Sequence, residues 1–228
     1  MSRQWPLGSI VLMNDRTSQD PDLVPKLCDV IRNLGARGWA PGTGGTFSVV
    51  ESDRPMRMLI TASGVDKQAI APEQILRLDS EAQVISGDGK PSAETLIHLA
   101  IVRETGAGCV LHTHSIWNTI LSVRSHFSLA DPGSDGVVDL LEITGFEMLK
   151  GLAGVTSHEH RETVPIIANS QEMGPLSRQI GPMIWNYPDV HGFLLRGHGL
   201  YTWGADLAEA KRHVEVLEFL FEVIGRQG

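Results

Sequence analysis

The chain reads as a layered α/β domain built on a mixed sheet, and three features point there. Apolar residues at helical spacing alternate irregularly with short apolar runs of strand length. Turns containing Gly, Pro and Ser separate these segments, with no linker between them. No internal repeat or low-complexity tract divides the 228 residues, a length that suits one sizeable core. The single domain therefore runs over 1–228, with about the first 18 residues as an extended arm.

The first predicted element is a helix in DPDLVPKLCDVIRNLGARGW. Leu23, Leu27, Val30, Ile31 and Leu34 share its inner face, Asp20 or Asp22 caps it, and Gly35 and Gly38 end it. APGTGGTFSVVE is a glycine-rich turn entering a strand, and MRMLITASG is a strand ending in a small-residue turn. PSAETLIHLAIVRETGAG has Pro91 in the first turn of a helix and Gly106 at its close. CVLHTHS follows as a strand, and IWNTILSVRSHF resumes helical spacing. SLADPGSDGVVDLLEIT is rich in turn residues, and GFEMLKGL is a short helix. HEHRETVPIIANS is a loop and then a strand through Val164–Ile167, and MGPLSRQIGPMIWNYP is a helix stopped at Tyr187–Pro188. HGFLLRGHGLYTWG divides into two strand pieces across Gly197–His198–Gly199. DLAEAKRHVEVLEFLFEVIGR is a long amphipathic helix.

Composition excludes several functions. Hydrophobic residues make up 42% and charged residues 20%, an ordinary globular balance. A net charge of −8 argues against a nucleic-acid or anionic-lipid partner, but not against a small anionic substrate held by a local site. The two cysteines, Cys28 and Cys109, fall in apolar patterns and give no disulfide framework, which fits a reducing cytoplasm. No signal-peptide pattern or membrane-length apolar run is present.

His112 and His114 close the CVLHTHS strand with one residue between them. Residues i and i+2 of a strand leave the same face, so two imidazoles would stand side by side, close enough for one metal ion. A polar strand end is the plain alternative. A catalytic zinc site keeps three protein ligands, and the best third candidate is His198 between two small neighbours. His158 and His160 form a rival pair, but their stretch reads as a solvated loop. His98 and His213 lie within helices and His126 and His191 near segment ends, so these read as packed or surface histidines.

GTGGTFS, TASG and PSAET are candidate phosphate cradles, because backbone N–H groups in small-residue turns and helix starts point at anions. Thr46, Ser48, Ser63 and Ser92 could add hydroxyl donors; Lys67 could add charge, although a solvated surface lysine is the simpler expectation. Two carboxylates suit proton transfer. Glu94 opens a helix, where a capping role is the plain alternative, and Glu147 sits among apolar neighbours where burial could raise its pKa, although residue type alone favours a surface glutamate in both cases.

The succession GGTFS, TASG, PSAE, HTH and GHG, across about residues 20 to 225, resembles the class II aldolase/adducin family. That resemblance implies a three-layer α/β/α sandwich with a mixed, largely antiparallel sheet. It implies one Zn2+ per subunit on His112, His114 and His198, and a sugar-phosphate substrate held by Gly45, Thr46, Ser63, Gly64, Ser92 and Ala93. It further implies a cytoplasmic homotetramer with sites near subunit interfaces. SGVDK, PSAETLIH, EITGFEMLKG and LLRGHGLYTWG are similar to the branch that dehydrates 5-methylthioribulose 1-phosphate in methionine salvage. In that branch the carboxylate at the Glu147 position is the acid/base, whereas in the aldolases the one at the Glu94 position serves metal and proton transfer; this chain carries both. Thr46 stands where the family usually has Asn, and Ala93 where its aldolases have Ser. A zinc aldolase or epimerase acting on another sugar phosphate is the alternative within enzymes, and an adducin-like binding module is the alternative outside them.

Overall fold

The computed structural model describes residues 20–124 and 136–227; the expected N-terminal arm and His126 lie outside them. Among the described residues, nine strands form one sheet. They are β1 (Thr46–Asp53), β2 (Met56–Thr61), β3 (Ile75–Leu78), β4 (Val84–Ser86), β5 (Cys109–Thr113), β6 (Val137–Ile143), β7 (Glu162–Ile167), β8 (Gly192–Leu195) and β9 (Gly199–Gly204). The order is β4-β3-β2-β1-β5-β9-β8-β7-β6, with β7–β8 the parallel pair and the other neighbours antiparallel.

Strand alternation divides the core into two layers. On β5, Cys109 and Leu111 face α1 (Leu23–Ala36), whose Leu27, Ile31 and Leu34 are fully buried, and Ala210 and Val214 of α5 (Leu207–Gln227). Val110 points the other way, to Ile97 and Ile101 of α2 (Thr95–Thr105) and Ile180 and Met183 of α4 (Met173–Asn186). Leu121 of α3 (Ile116–Arg124) joins Leu217 and Phe221 of α5 over Leu194 and Leu200. Helices thus cover both sheet faces. Each fully buried Leu, Ile or Phe in these layers stabilises the fold by about 1.5–3 kcal/mol.

Four segments differ from the sequence expectation. Residues 75–78 and 84–86 form β3 and β4, and β4 is exposed along its length, so an apolar alternation never marks it. Residues 137–143 form β6 where turn residues predominate just before; its Asp139 and Glu142 break the apolar run. The short helix at GFEMLKGL is a 3-10 helix, Glu147–Gly151.

Strand register prepares the site. Thr46 of β1 pairs with His112 of β5, and His112 pairs with Tyr201 of β9. Tyr201 in turn pairs with Phe193 of β8. One row of side chains therefore crosses four strands on the α2 side of the sheet, with His112 inside it.

Candidate metal centre

His112 is fully buried, and its Nδ1 lies 2.9 Å from the Leu200 carbonyl. A carbonyl only accepts, so Nδ1 is the donating nitrogen and Nε2 is the atom left facing the cluster. His114 follows the end of β5, its backbone N–H held by the Trp39 carbonyl at 2.7 Å. The two Nε2 atoms face each other at 2.7 Å. Burial, together with the neighbouring His112 and His198, pushes His114 down to about 3, so its ring is neutral at ordinary pH.

His198 reaches the same point from the β8–β9 turn. Gly197 takes φ +65°, where a glycine avoids steric cost, and the His198 N–H closes the turn on the Leu195 carbonyl. Gly199 is needed for a different reason. A Cβ there would stand 2.9 Å from His114 and 3.1 Å from His112 and would press on the Thr113 carbonyl. The His198 ring meets those of His112 and His114 edge-on, with centroids 4.9 and 4.7 Å apart.

Glu94 stands at the N-cap position of α2, its side chain turned away from the helix N–H groups, and completes the cluster. Its Oε1 lies 3.1 Å from His198 Nε2 and 3.4 Å from His112 Nε2. The Thr46 hydroxyl donates to Oε2 at 2.7 Å, and the Ser92 hydroxyl lies 3.4 Å from the same oxygen. Burial would raise this carboxyl, but His112, His198 and Thr46 together hold it far below the usual carboxylate range.

These four ligand atoms all lie within 4.8 Å of one another. Three imidazole nitrogens and a carboxylate oxygen suit a divalent transition metal, and the imidazole majority suits zinc. The Leu200 carbonyl supplies an outer hydrogen bond of the kind that orients a histidine toward a metal. The donor set fits a metal ion.

The cluster opens on a cavity of about 350 Å³. Gly45, Thr46, Ser63, Gly64, Ser92 and Ala93 all line it, so the three small-residue turns meet there. Ser48 does not; its hydroxyl bonds His98 Nδ1 at 2.8 Å beneath the sheet row. Gln171 and Met173, from the start of α4, also line the cavity, and no local motif marks them.

Lys67 departs from the surface lysine expected. It is 1% exposed, lines the cavity, and donates to the Thr43 and Val65 carbonyls at 3.0 Å each. Burial lowers its pKa, with Glu94 and Asp66 opposing.

Glu147 also departs from expectation. It is 73% exposed, its carboxylate pairs with Lys150 at 2.6 Å, and its pKa is lowered by that partner, not raised by burial. Of the apolar neighbours that suggest burial, Leu149 is buried and Met148 is exposed. Glu147 neither lines the cavity nor joins the histidine cluster. The rival pair goes elsewhere: His160 contacts Glu162 at 3.0 Å and His158 is exposed.

Glu218 of α5 belongs to no motif in the sequence. Its carboxyl is buried beneath Thr113, the residue between the two histidines, and accepts bonds from Thr113 (2.9 Å), Ser115 (2.5 Å) and Asn118 (2.9 Å). Burial raises it to about 7, against those three donors. The one signal available in the sequence is a carboxylate on the apolar stripe Val214, Leu217, Phe221.

Residues 25–224 match the family of the class II aldolase and adducin N-terminal domain. The methylthioribulose-1-phosphate dehydratase of Stenotrophomonas maltophilia (strain K279a) is 39% identical, covering 90% of this chain and 91% of that protein. That of Pectobacterium atrosepticum is 41% identical, covering 83% and 86%. The crystal structure of L-fuculose-1-phosphate aldolase from Thermus thermophilus superposes with a TM-score of 0.67 at 25% identity, covering 89% of this chain and 93% of that one.

Proposed function

The chain belongs to the class II aldolase and adducin family, and on that footing we propose that it dehydrates 5-methylthioribulose 1-phosphate to 2,3-diketo-5-methylthiopentyl 1-phosphate, a step of methionine salvage. One observation carries the reading. Three imidazole Nε2 atoms and one carboxylate oxygen converge at a cavity walled by three small-residue turns. A phosphate end and a polyol end of one substrate would each find their chemistry there.

His112, His114 and His198 hold one Zn2+ per subunit, with Glu94 beside it. When bound, the metal polarises the substrate's carbonyl and hydroxyl oxygens and acidifies the adjoining C–H. Gly45, Thr46, Ser63, Gly64, Ser92 and Ala93 receive the phosphate. Thr46 and Ser92 fix Glu94 Oε2, which leaves Oε1 aimed into the centre. The reaction takes the hydrogen from C3, expels the C4 hydroxyl with a proton as water, and tautomerises the enol to the diketone. No electrons leave the substrate, so a redox cofactor has no part in it.

Glu147 is the acid/base in this reading. Since it is exposed and absent from its own subunit's cavity, it serves the site of a neighbouring copy. That arrangement accords with a homotetramer carrying its sites near subunit interfaces. A cytoplasmic location accords with two buried, unpaired cysteines. Among the described residues, no helix is long and apolar enough to cross a membrane. The whole chain, 1–228, acts as one domain.

The test is to incubate zinc-loaded protein with 5-methylthioribulose 1-phosphate and identify products by mass spectrometry, beside a His114→Ala control. A product lighter by one water, absent in the control, is expected. A cleaved carbon chain would move the assignment to an aldolase, and unchanged substrate would reject it. A purely adducin-like binding role would not need the complete ligand set found here.

A further inference from the structure

We propose that Lys67 is the counter-charge of the substrate's phosphate: a buried ammonium shared by two turns of the cradle, which binds the anion directly with its remaining proton. The inference rests on the reading of the cavity as a sugar-phosphate site.

Lys67 stands apart from the other lysines. Its side chain is buried, yet its Nζ touches no carboxylate; it donates to two neutral carbonyls, those of Thr43 and Val65. An ammonium has three protons, and the third finds no acceptor among the described residues. Neutral carbonyls orient a cation without neutralising it, and an uncompensated buried charge is costly. Those carbonyls come from the glycine-rich turn before β1 and from the turn after β2, the two walls that present Gly45 and Gly64 to the cavity.

The cavity's charge balance points the same way. Of its lining residues, Lys67 is the one Lys or Arg and Glu94 the one Asp or Glu. A phosphate dianion entering beside Glu94 would meet peptide dipoles and hydroxyls from the turns, and a single full positive charge from the protein side chains outside the metal set. A direct ammonium–phosphate pair in a partly enclosed site is a charge-assisted bond, stronger than any backbone N–H contact in the cradle. Lysine suits the position because it offers a compact charge on a stem that can lie along the core. A mere tie between the turns would need only a neutral donor. The absence of a compensating carboxylate is what indicates a bound anion.

The experiment uses metal-loaded wild-type, Lys67→Met, Lys67→Gln and Lys67→Arg proteins. Zinc content is measured first, and two ligands are then titrated by calorimetry: inorganic phosphate, and 5-methylthioribulose without its phosphate. For Lys67→Met and Lys67→Gln, phosphate affinity should fall about 30- to 100-fold, the scale of removing one member of a close charge pair. Affinity for the neutral sugar should stay within about threefold, and Lys67→Arg should recover part of the phosphate affinity. Lys67→Gln can still donate to the two carbonyls, so it separates charge from tethering if Lys67→Met fails to fold. Equal losses for both ligands would overturn the proposal and leave a structural tie. Undiminished phosphate binding in Lys67→Gln, or none in the wild type, would overturn it as well. Failure to dehydrate 5-methylthioribulose 1-phosphate would instead strike the functional reading, because phosphate binding is read without turnover.

Discussion

Tyr201 lies face to face on His112, with ring centroids 3.9 Å apart and planes 13° from parallel, and its hydroxyl is buried with no partner among the described residues. The ring therefore supports His112 by stacking, whereas the hydroxyl makes no bond that its removal would break among the described residues. Tyr201→Phe should leave metal content unchanged and stability equal or slightly higher, since it removes a buried polar atom without a bond. Tyr201→Ala should cost about 3–5 kcal/mol, the usual loss for a buried aromatic, and weaken metal binding by about 10- to 100-fold, the usual effect of losing outer support. Thermal melts and competition with a zinc chelator would measure the two effects.

Gly199→Ala should fail at the metal site before it fails as a fold. The added carbon would press on both His112 and His114 and on the Thr113 carbonyl between them. We expect a loss of about 1–3 kcal/mol in stability from overpacking and metal occupancy well below one per chain. A variant that holds zinc at wild-type affinity would show that the turn can shift.

Glu218 should make stability fall as pH rises toward neutrality. Burial lifts its folded pKa to about 7 from 4.5, so the folded state binds the proton more tightly than the unfolded state. Its contribution is complete below about pH 4.5 and is lost as pH rises through about 7. Glu218→Gln keeps an acceptor for the Thr113 and Ser115 hydroxyls and should flatten this part of the profile, as read by denaturant midpoints at a series of pH values.

His98 should act in the opposite sense. Burial, helped by His112, lowers it from 6.5 to about 3, so the folded state binds its proton less tightly. Its contribution is complete above about pH 6.5 and is lost as pH falls toward about 3. His98→Gln should reduce the acid sensitivity of the protein, and an unchanged acid limb in the same denaturant series would count against this assignment.

Glu147→Gln and His114→Ala proteins, each inactive alone, should regain activity when unfolded together and co-refolded. A carboxylate exposed on one subunit and a metal site in another can complete one working centre in a mixed oligomer. Persistent inactivity would show that Glu147 does not serve the site of a neighbouring subunit.

The histidine–glutamate cluster is more legible in the sequence than its surroundings. His112 and His114 can be placed on one face because strand periodicity is two and the run before them is apolar without interruption. The central helices are legible for the same kind of reason, whereas β4 and β6 carry too little apolar alternation to announce themselves. Glu147 misleads because its neighbours Met148 and Leu149 suggest burial, while a 3-10 turn buries Leu149 and leaves the carboxylate outside. Lys67 misleads because residue type favours the surface, and nothing local announces that the Thr43 turn, 24 residues earlier, will help to enclose it. Periodicity reports which side of an element is apolar, but not what another part of the chain will set against the polar side.

The strand order also dictates a sequence of events in synthesis. By the time His114 has been made, Glu94, His112 and β1 are all available, but β5 still lacks β9 on its second side. A nascent chain at that stage exposes an unpaired strand edge beside two of its histidines, the kind of surface that recruits foreign strands. The late β8–β9 hairpin covers that edge and, through the same turn, delivers His198. Completing the sheet and completing the histidine cluster are thus one act of assembly, and a chain truncated before the β8–β9 turn would lose both at once.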